Sequence, residues 1–163
     1  MNINLEKLYS LQKLLDLEIA KKHNITYETT SDRRLLALLV ELGEFANETR
    51  CFKYWSNKGP SPLDVVLDEY VDGLHFFLSL GIPLNTNKYV YDIHKVDVTL
   101  SEQIINVYNL ISKFSISRDL DNYIVAFNAY LDIISILNVS SEDIINAYLK
   151  KLEVNHQRQE NNY

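Results

Sequence analysis

Residues 41–44 read Glu-Leu-Gly-Glu and residues 69–72 read Glu-Tyr-Val-Asp, and the spacing inside these two words decides the fold. Each word sets two carboxylates three residues apart. On an α-helix that separation places both on one face, about one turn apart. Two such helices packed as a central antiparallel pair point Glu41, Glu44, Glu69 and Asp72 into one cluster. Like charges that close repel strongly unless a cation stands between them. Hard divalent ions held by carboxylate oxygens, Mg²⁺ above all, meet that need and usually bring phosphates with them.

The rest of the chain agrees with an all-α bundle. Its 163 residues suit one domain with a real core, and only 4 Gly and 3 Pro leave few breaks for a many-turned β architecture. The net charge of −6 gives no case for binding a nucleic-acid polymer, though bound metal would invert the field near a small anionic ligand. A single cysteine, Cys51, allows no internal disulfide and suits a reducing cytoplasm. The N-terminal stretch is an amphipathic helix pattern without the apolar run of a signal peptide. The least charged stretch, 73–87, is broken by Pro83 and too polar to span a membrane.

The periodicity predicts about six helices in a single domain over 1–163. The first runs from Ile3 to His23, with Leu8, Leu11, Leu15 and Ile19 at helical spacing. A polar link over 24–30 leads to a second helix over 31–50. Pro62 opens a third, which Gly81-Ile82-Pro83 ends. Residues 83–98 read as a surface excursion with weak strand character at 89–93. Thr99-Leu100-Ser101-Glu102 is a capping box opening a fourth helix, a fifth follows Ser117, and Ser140 to Asp143 cap a sixth. Residues 101–108 and 141–148 share the pattern S-E-x-I-I-N-x-Y. The echo is too short for a repeat architecture and reads as two helix starts solving one capping problem.

A carboxylate stripe is commonly a solvated helix face. Two details oppose that here. Glu41, Glu44 and Glu48 share a stripe, yet none has a Lys or Arg three or four residues onward to pair with. On the third helix Val65, Gly73, Phe76 and Leu80 lie within about 40° of Glu69 around the axis. A carboxylate ringed by apolar groups needs a partner to stay charged, and metal coordination supplies one.

The connector Phe52-Lys53-Tyr54-Trp55-Ser56 carries the only Trp. It reads either as a loop pinned by a buried indole or as a flat wall for a base, with Lys53 or Lys58 near phosphate. His75 stands one turn beyond Asp72 and reads either as a hydrogen-bonded core residue or, beside the acids and Phe76-Phe77, as a group that reads a base edge. The last stretch, 150–163, has the composition of a frayed polar tail.

At this point the words combine into a likeness. ELGEFANETRCFKYWS, then DEYVDGLHFFLSLG, then LKKLEVNHQRQ resemble the dimeric all-α dUTPases, within the wider all-α nucleoside triphosphate pyrophosphohydrolases that include MazG-like enzymes. The resemblance runs from Gln12 to Gln159 and is weakest over 83–138. It implies hydrolysis of dUTP, and of dUDP, to dUMP with attack at the β-phosphorus. It makes Glu41, Glu44, Glu69 and Asp72 the catalytic Mg²⁺ ligands for two or three ions, and either Glu41, the favoured one, or Glu44 orients the water. It implies a phosphate clamp from Lys151, Asn155 and Arg158, so that 150–163 is a functional tail. It assigns Gln12, Asp16, Trp55 and His75 to uracil; Phe76, from its place on the Glu69 and Asp72 face, would crowd the 2′ position of a ribose, and Lys53 and Lys58 either reach phosphate or are ordinary surface charges. It also implies a homodimer and, for a phage-encoded enzyme, a repressor-type protein partner. Two other classes stay open on the residues: a MazG-like pyrophosphohydrolase with another base preference, and a non-enzymatic helical regulator keeping the fold.

Overall fold

The computed structural model describes residues 1–162, so the last residue of the expected tail, Tyr163, lies outside the described residues. Helices α1 (Glu6–His23), α2 (Tyr27–Thr49), α3 (Leu63–Gly81), α4 (Leu100–Ser117), α5 (Leu120–Leu137) and α6 (Ser141–Glu160) form the bundle. The strands β1 (Asn2–Asn4) and β2 (Val90–Asp92) pair antiparallel with Ile3 opposite Tyr91.

The bundle is centred on α3. From Val66 to Gly81 twelve of the sixteen residues of this helix are buried, and it packs on α1, α2, α5 and α6. Each buried aliphatic or aromatic side chain stabilises the fold by about 1.5–3 kcal/mol, so α3 supplies much of the core. The α2–α3 pair is antiparallel. Arg34 bonds Ser79 at one end, Glu41 meets Asp72 midway, and Ser61, just before α3, bonds Glu48 at the other end. Leu38, Leu42 and Phe45 on α2 are fully buried, as are Tyr70, Val71 and Leu74 on α3. The carboxylates occupy another side of the same helices.

Tyrosines fasten α5 to α3. Tyr70 and Tyr130 stack at 4.6 Å, and each donates its hydroxyl to the other's backbone carbonyl. Tyr123 donates to the carbonyl of Phe77 at 2.8 Å. Among the described residues α5, and not the stretch 73–87, is the one helix long and apolar enough to cross a membrane. Half of it is buried inside the bundle.

Several boundaries differ from expectation, each for a local reason. α1 begins at Glu6 rather than Ile3, because β1 takes Ile3 into the strand pair. α2 begins at Tyr27 rather than Ser31, because Thr26 and Thr29 form a reciprocal capping box. The excursion 83–98 is not wholly superficial, since Tyr91 is completely buried and Ile93 nearly so. The echoed octapeptides do not share a capping frame: Thr99 caps α4 two residues before Ser101, whereas Ser140 caps α6 one residue before Ser141. The polar end of α6 is not frayed but helical through Glu160.

Gly73 is one of two α3 glycines against which an α5 tyrosine presses, the other being Gly81 against Tyr123. A Cβ at Gly73 would stand 2.5 Å from Tyr130 Oη. Gly73→Ala is therefore expected to lower stability by about 1–3 kcal/mol, as overpacked cores do. A urea titration measures this, and an unchanged midpoint would mean that Tyr130 moves aside freely.

Candidate active site

Four helices contribute one face each to a cavity of about 290 Å³. From α1 come Gln12 and Asp16, one turn apart, and from α2 Arg34 and Glu41, two turns apart. From α3 come Asp72, His75, Phe76 and Ser79, and from α6 Asn155, Arg158 and Gln159. All recur at helical spacing along their own helix. The cavity thus follows from four amphipathic stripes meeting, and its volume suits a nucleobase with its sugar.

The acidic end forms where α2 and α3 touch. Glu41, Glu69 and Asp72 bring carboxylate oxygens within 4.8 Å of one another. Glu44 is exposed beside this group and close enough to act on Glu41 and Glu69 by charge. Burial, helped by Glu44, Asp72 and Glu69, pushes the Glu41 carboxyl from the ordinary 4.5 up to about 8. Burial likewise raises Glu69, with the charges of Asp72 and Glu44 adding to it. Burial raises Asp72 as well, against the pull of Lys151. Glu69 is less enclosed than its helical wheel suggested, because Val65 is 38% exposed.

Lys151 reaches this cluster from α6. Its Nζ lies 2.7 Å from Asp68 and 2.6 Å from Asp72. Burial pushes the ammonium down, but the two carboxylates outweigh that and hold it above its ordinary value. Lys151 is 6% exposed and so is a fixed cation of the site. The cluster still suits a divalent cation. Its donors are hard carboxylate oxygens, and Glu41 Oε2 is buried with no hydrogen-bond partner.

The other end is polar and neutral. His75 Nδ1 lies 2.6 Å from Gln12 Oε1, and the imidazole stacks on Tyr148 at 4.1 Å. Burial, followed by the charges of Lys151 and His156, pushes His75 down to about 3, so it is neutral at pH 7. Asp16 is buried and ion-paired with Arg34 at 3.1 Å.

The end of α6 is fastened over the cavity by α1. His156 meets Glu18 at 2.7 Å, His23 meets Gln159 Oε1 at 3.2 Å, and Lys22 donates to the Gln159 carbonyl. These contacts hold Asn155 and Arg158 at the rim.

Among the site residues expected from sequence, Glu44, Glu69 and Lys151 stand at the acidic cluster and not in the cavity lining, and Trp55 and Lys53 do not join the cavity of their own chain. Trp55 is 65% exposed and packs edge-on against Tyr54 and Phe52, while the Lys53 ammonium lies 5.8 Å from the Phe52 ring. No buried indole pins the connector. Arg50 does so, bonding Ser56 Oγ at 2.9 Å and the carbonyl of Lys58 at 3.1 Å. The sequence reading missed Arg34, Asp68, Ser79 and Tyr148. Arg34 stands seven residues before Glu41 and Ser79 seven after Asp72, so extending each acidic stripe by two turns would have reached both.

The fold is a helical bundle with an acidic cluster beside a polar cavity, and the comparison with known families says which class of protein this is. A family model described as dUTPase matches residues 4–163, and the chain belongs to this all-α dUTPase family. It is thus a dUTP diphosphatase, of a kind that generally uses a divalent metal. No curated protein matches the chain.

The raised Glu41 has a consequence for stability. The folded protein keeps this proton until about pH 8, whereas the unfolded chain loses it near 4.5. Over that window the folded state binds more protons, so stability falls as pH rises. The metal-free protein is expected to lose thermal stability from pH 5 to pH 8, and Glu41→Gln to flatten the slope. Calorimetry across that range checks this, and an equal slope in the variant would refute the assignment.

Proposed function

We propose that the enzyme hydrolyses dUTP, and also dUDP, to dUMP with Mg²⁺ held by Glu41, Glu44, Glu69 and Asp72. The observation that carries this reading is the buried, partnerless Glu41 Oε2 within a carboxylate cluster at one end of the cavity. When bound, Mg²⁺ supplies positive charge to the phosphate oxygens and lowers the pKa of the attacking water.

The chain's own residues do the rest. Glu41 orients the water. Arg158 and Asn155, on the α6 face that lines the cavity, bind phosphate, and Lys151 offsets charge at the acidic end. The base lies at the far end against His75. Neutral His75 offers its unpartnered Nε2 to the base edge, and Phe76 crowds the 2′ position. Because these groups sit on packed helices, binding brings the phosphates to groups already in place. The exposed rings of Phe52, Tyr54 and Trp55 support a homodimer that covers them, with Trp55 and Lys53 acting through that association. Residues 1–163 function as one domain with 150–163 as its phosphate-binding end.

Turnover of dUTP, dUDP, dCTP, dTTP and UTP with and without Mg²⁺ tests the reading. Activity is expected on the deoxyuridine nucleotides alone and only with metal. Glu69→Gln and Asp72→Asn should each lower kcat by about 10²-fold or more, since each removes a ligand of the ion that activates water. Full activity in chelator would reject the metal assignment, and equal rates on dCTP would reject the base assignment.

The clamp makes a separate prediction. Arg158→Ala is expected to lower kcat/KM for dUTP by about 10-fold or more, as loss of a charge-assisted phosphate contact does, with little change in melting temperature. Steady-state kinetics beside calorimetry decide it, and unchanged kinetics would make α6 a purely structural helix.

A further inference from the structure

A carboxylate that has no need to touch the substrate settles which hydrogen-bonding face His75 presents. Asp16 is 5% exposed and accepts on both oxygens. Its Oδ2 takes Ser79 Oγ at 2.7 Å, Tyr27 Oη at 3.0 Å and Arg34 Nη1 at 3.1 Å. Its Oδ1 is left for Gln12 Nε2 at 2.9 Å. A carboxylate paired with a guanidinium only accepts, so Gln12 must turn its NH₂ toward Asp16. The amide oxygen of Gln12 then faces the other way, toward Tyr148 Oη at 2.9 Å and His75 Nδ1 at 2.6 Å. An amide oxygen only accepts, so Nδ1 carries the imidazole proton. A neutral imidazole has one N–H. Nε2 is therefore a bare acceptor, and it is the ring nitrogen that finds no partner in the protein. The ring lines the cavity, and its stacking on Tyr148 holds its plane.

We propose that Asp16, held by Arg34, Ser79 and Tyr27, sets the tautomer of His75 through Gln12 and thereby makes the enzyme prefer uracil to cytosine. This rests on the reading that the base lies against His75. The pairing edge of uracil carries one N–H, at N3, between two carbonyl oxygens. Cytosine has a lone pair at N3 instead. A bare Nε2 accepts from uracil N3–H and meets cytosine N3 lone pair to lone pair. A mismatch of that kind discriminates more strongly than apolar fit does. Asp16 and Arg34 are positioning residues in this assignment. Arg34 neutralises the buried carboxylate, and Asp16 orients the amide that orients the ring.

Asp16→Asn tests the proposal. The three donors facing Oδ2 hold the new amide oxygen, so the new NH₂ faces Gln12. Gln12 then turns over, His75 Nδ1 becomes an acceptor, and the proton moves to Nε2, which now suits cytosine N3. Nitrogen chemical shifts of the imidazole, read by NMR on the full-length ligand-free protein and assigned with His75→Gln, report the tautomer directly. Kinetics with dUTP and dCTP in Mg²⁺ report base choice. The expected result is an Nδ1–H ring in the wild type and an Nε2–H ring in Asp16→Asn. The ratio of kcat/KM for dUTP over dCTP should then fall by about 10²-fold or more. An Nε2–H ring in the wild type overturns the relay without any variant having to fold, and so does an unchanged tautomer in a folded Asp16→Asn. A changed tautomer with an unchanged dUTP to dCTP ratio leaves the relay standing and overturns the placement of the base against His75.

Discussion

Apolar packing between α2 and α3 forces carboxylates together, and the rest of the molecule is organised around that constraint. Two carboxylates 4 Å apart repel by about 1 kcal/mol in water and about 4 kcal/mol at the dielectric typical near a protein surface. Against a few such pairs stand Leu38, Leu42, Phe45, Tyr70, Val71 and Leu74, all completely buried on the same two helices. At about 1.5–3 kcal/mol each their burial outweighs the repulsion. The helices therefore cannot separate to relieve the acids. The cost is met locally instead, by a proton on Glu41 and by the ammonium of Lys151 on Asp68 and Asp72.

The opposite end of the cavity obeys a different rule. There a buried charge is satisfied completely, because Asp16 accepts from Gln12, Tyr27, Arg34 and Ser79. In such a network each member's donor or acceptor role follows from its neighbour's, and the sequence of roles ends on one unpartnered ring nitrogen of His75. One cavity thus joins an under-compensated end, which suits cation and phosphate, to a fully compensated end, which suits a neutral base. The end of α6 closes the side between them. Its attachment to α1 through Glu18, Lys22 and His23 keeps the α6 turn that carries Asn155 and Arg158 beside the cavity.

Helix by helix, what could be read from the chain was what local physics controls. The two acidic words, the apolar periodicity and the capping boxes at Thr99 and Ser140 act within a turn or two of backbone, so spacing alone reveals them. The number of helices and the words that carry the dUTPase likeness lay at that level. Boundaries that depend on distant partners did not. Ile3 belongs to a strand only because Tyr91 lies opposite it. Helices α1, α2, α4 and α5 end on Asn24, Arg50, Arg118 and Asn138 in the left-handed conformation, where a search for glycine and proline sees nothing.

For the site the division is sharper. The sequence by itself determined which side chains share a helix face, because the 3.6-residue turn is a property of the backbone. That is enough to group Glu41 with Glu44, Glu69 with Asp72 and His75, and Lys151 with Asn155 and Arg158. Only the tertiary structure decided which faces meet. It brought Lys151 onto Asp72, joined Gln12 to His75 across 63 residues, and made Arg34 the counterion of Asp16. It also left Trp55 outside, because Arg50 anchors the connector away from the cavity. Such pairings depend on how whole helices pack, and packing is set by the summed burial of residues spread along the entire chain.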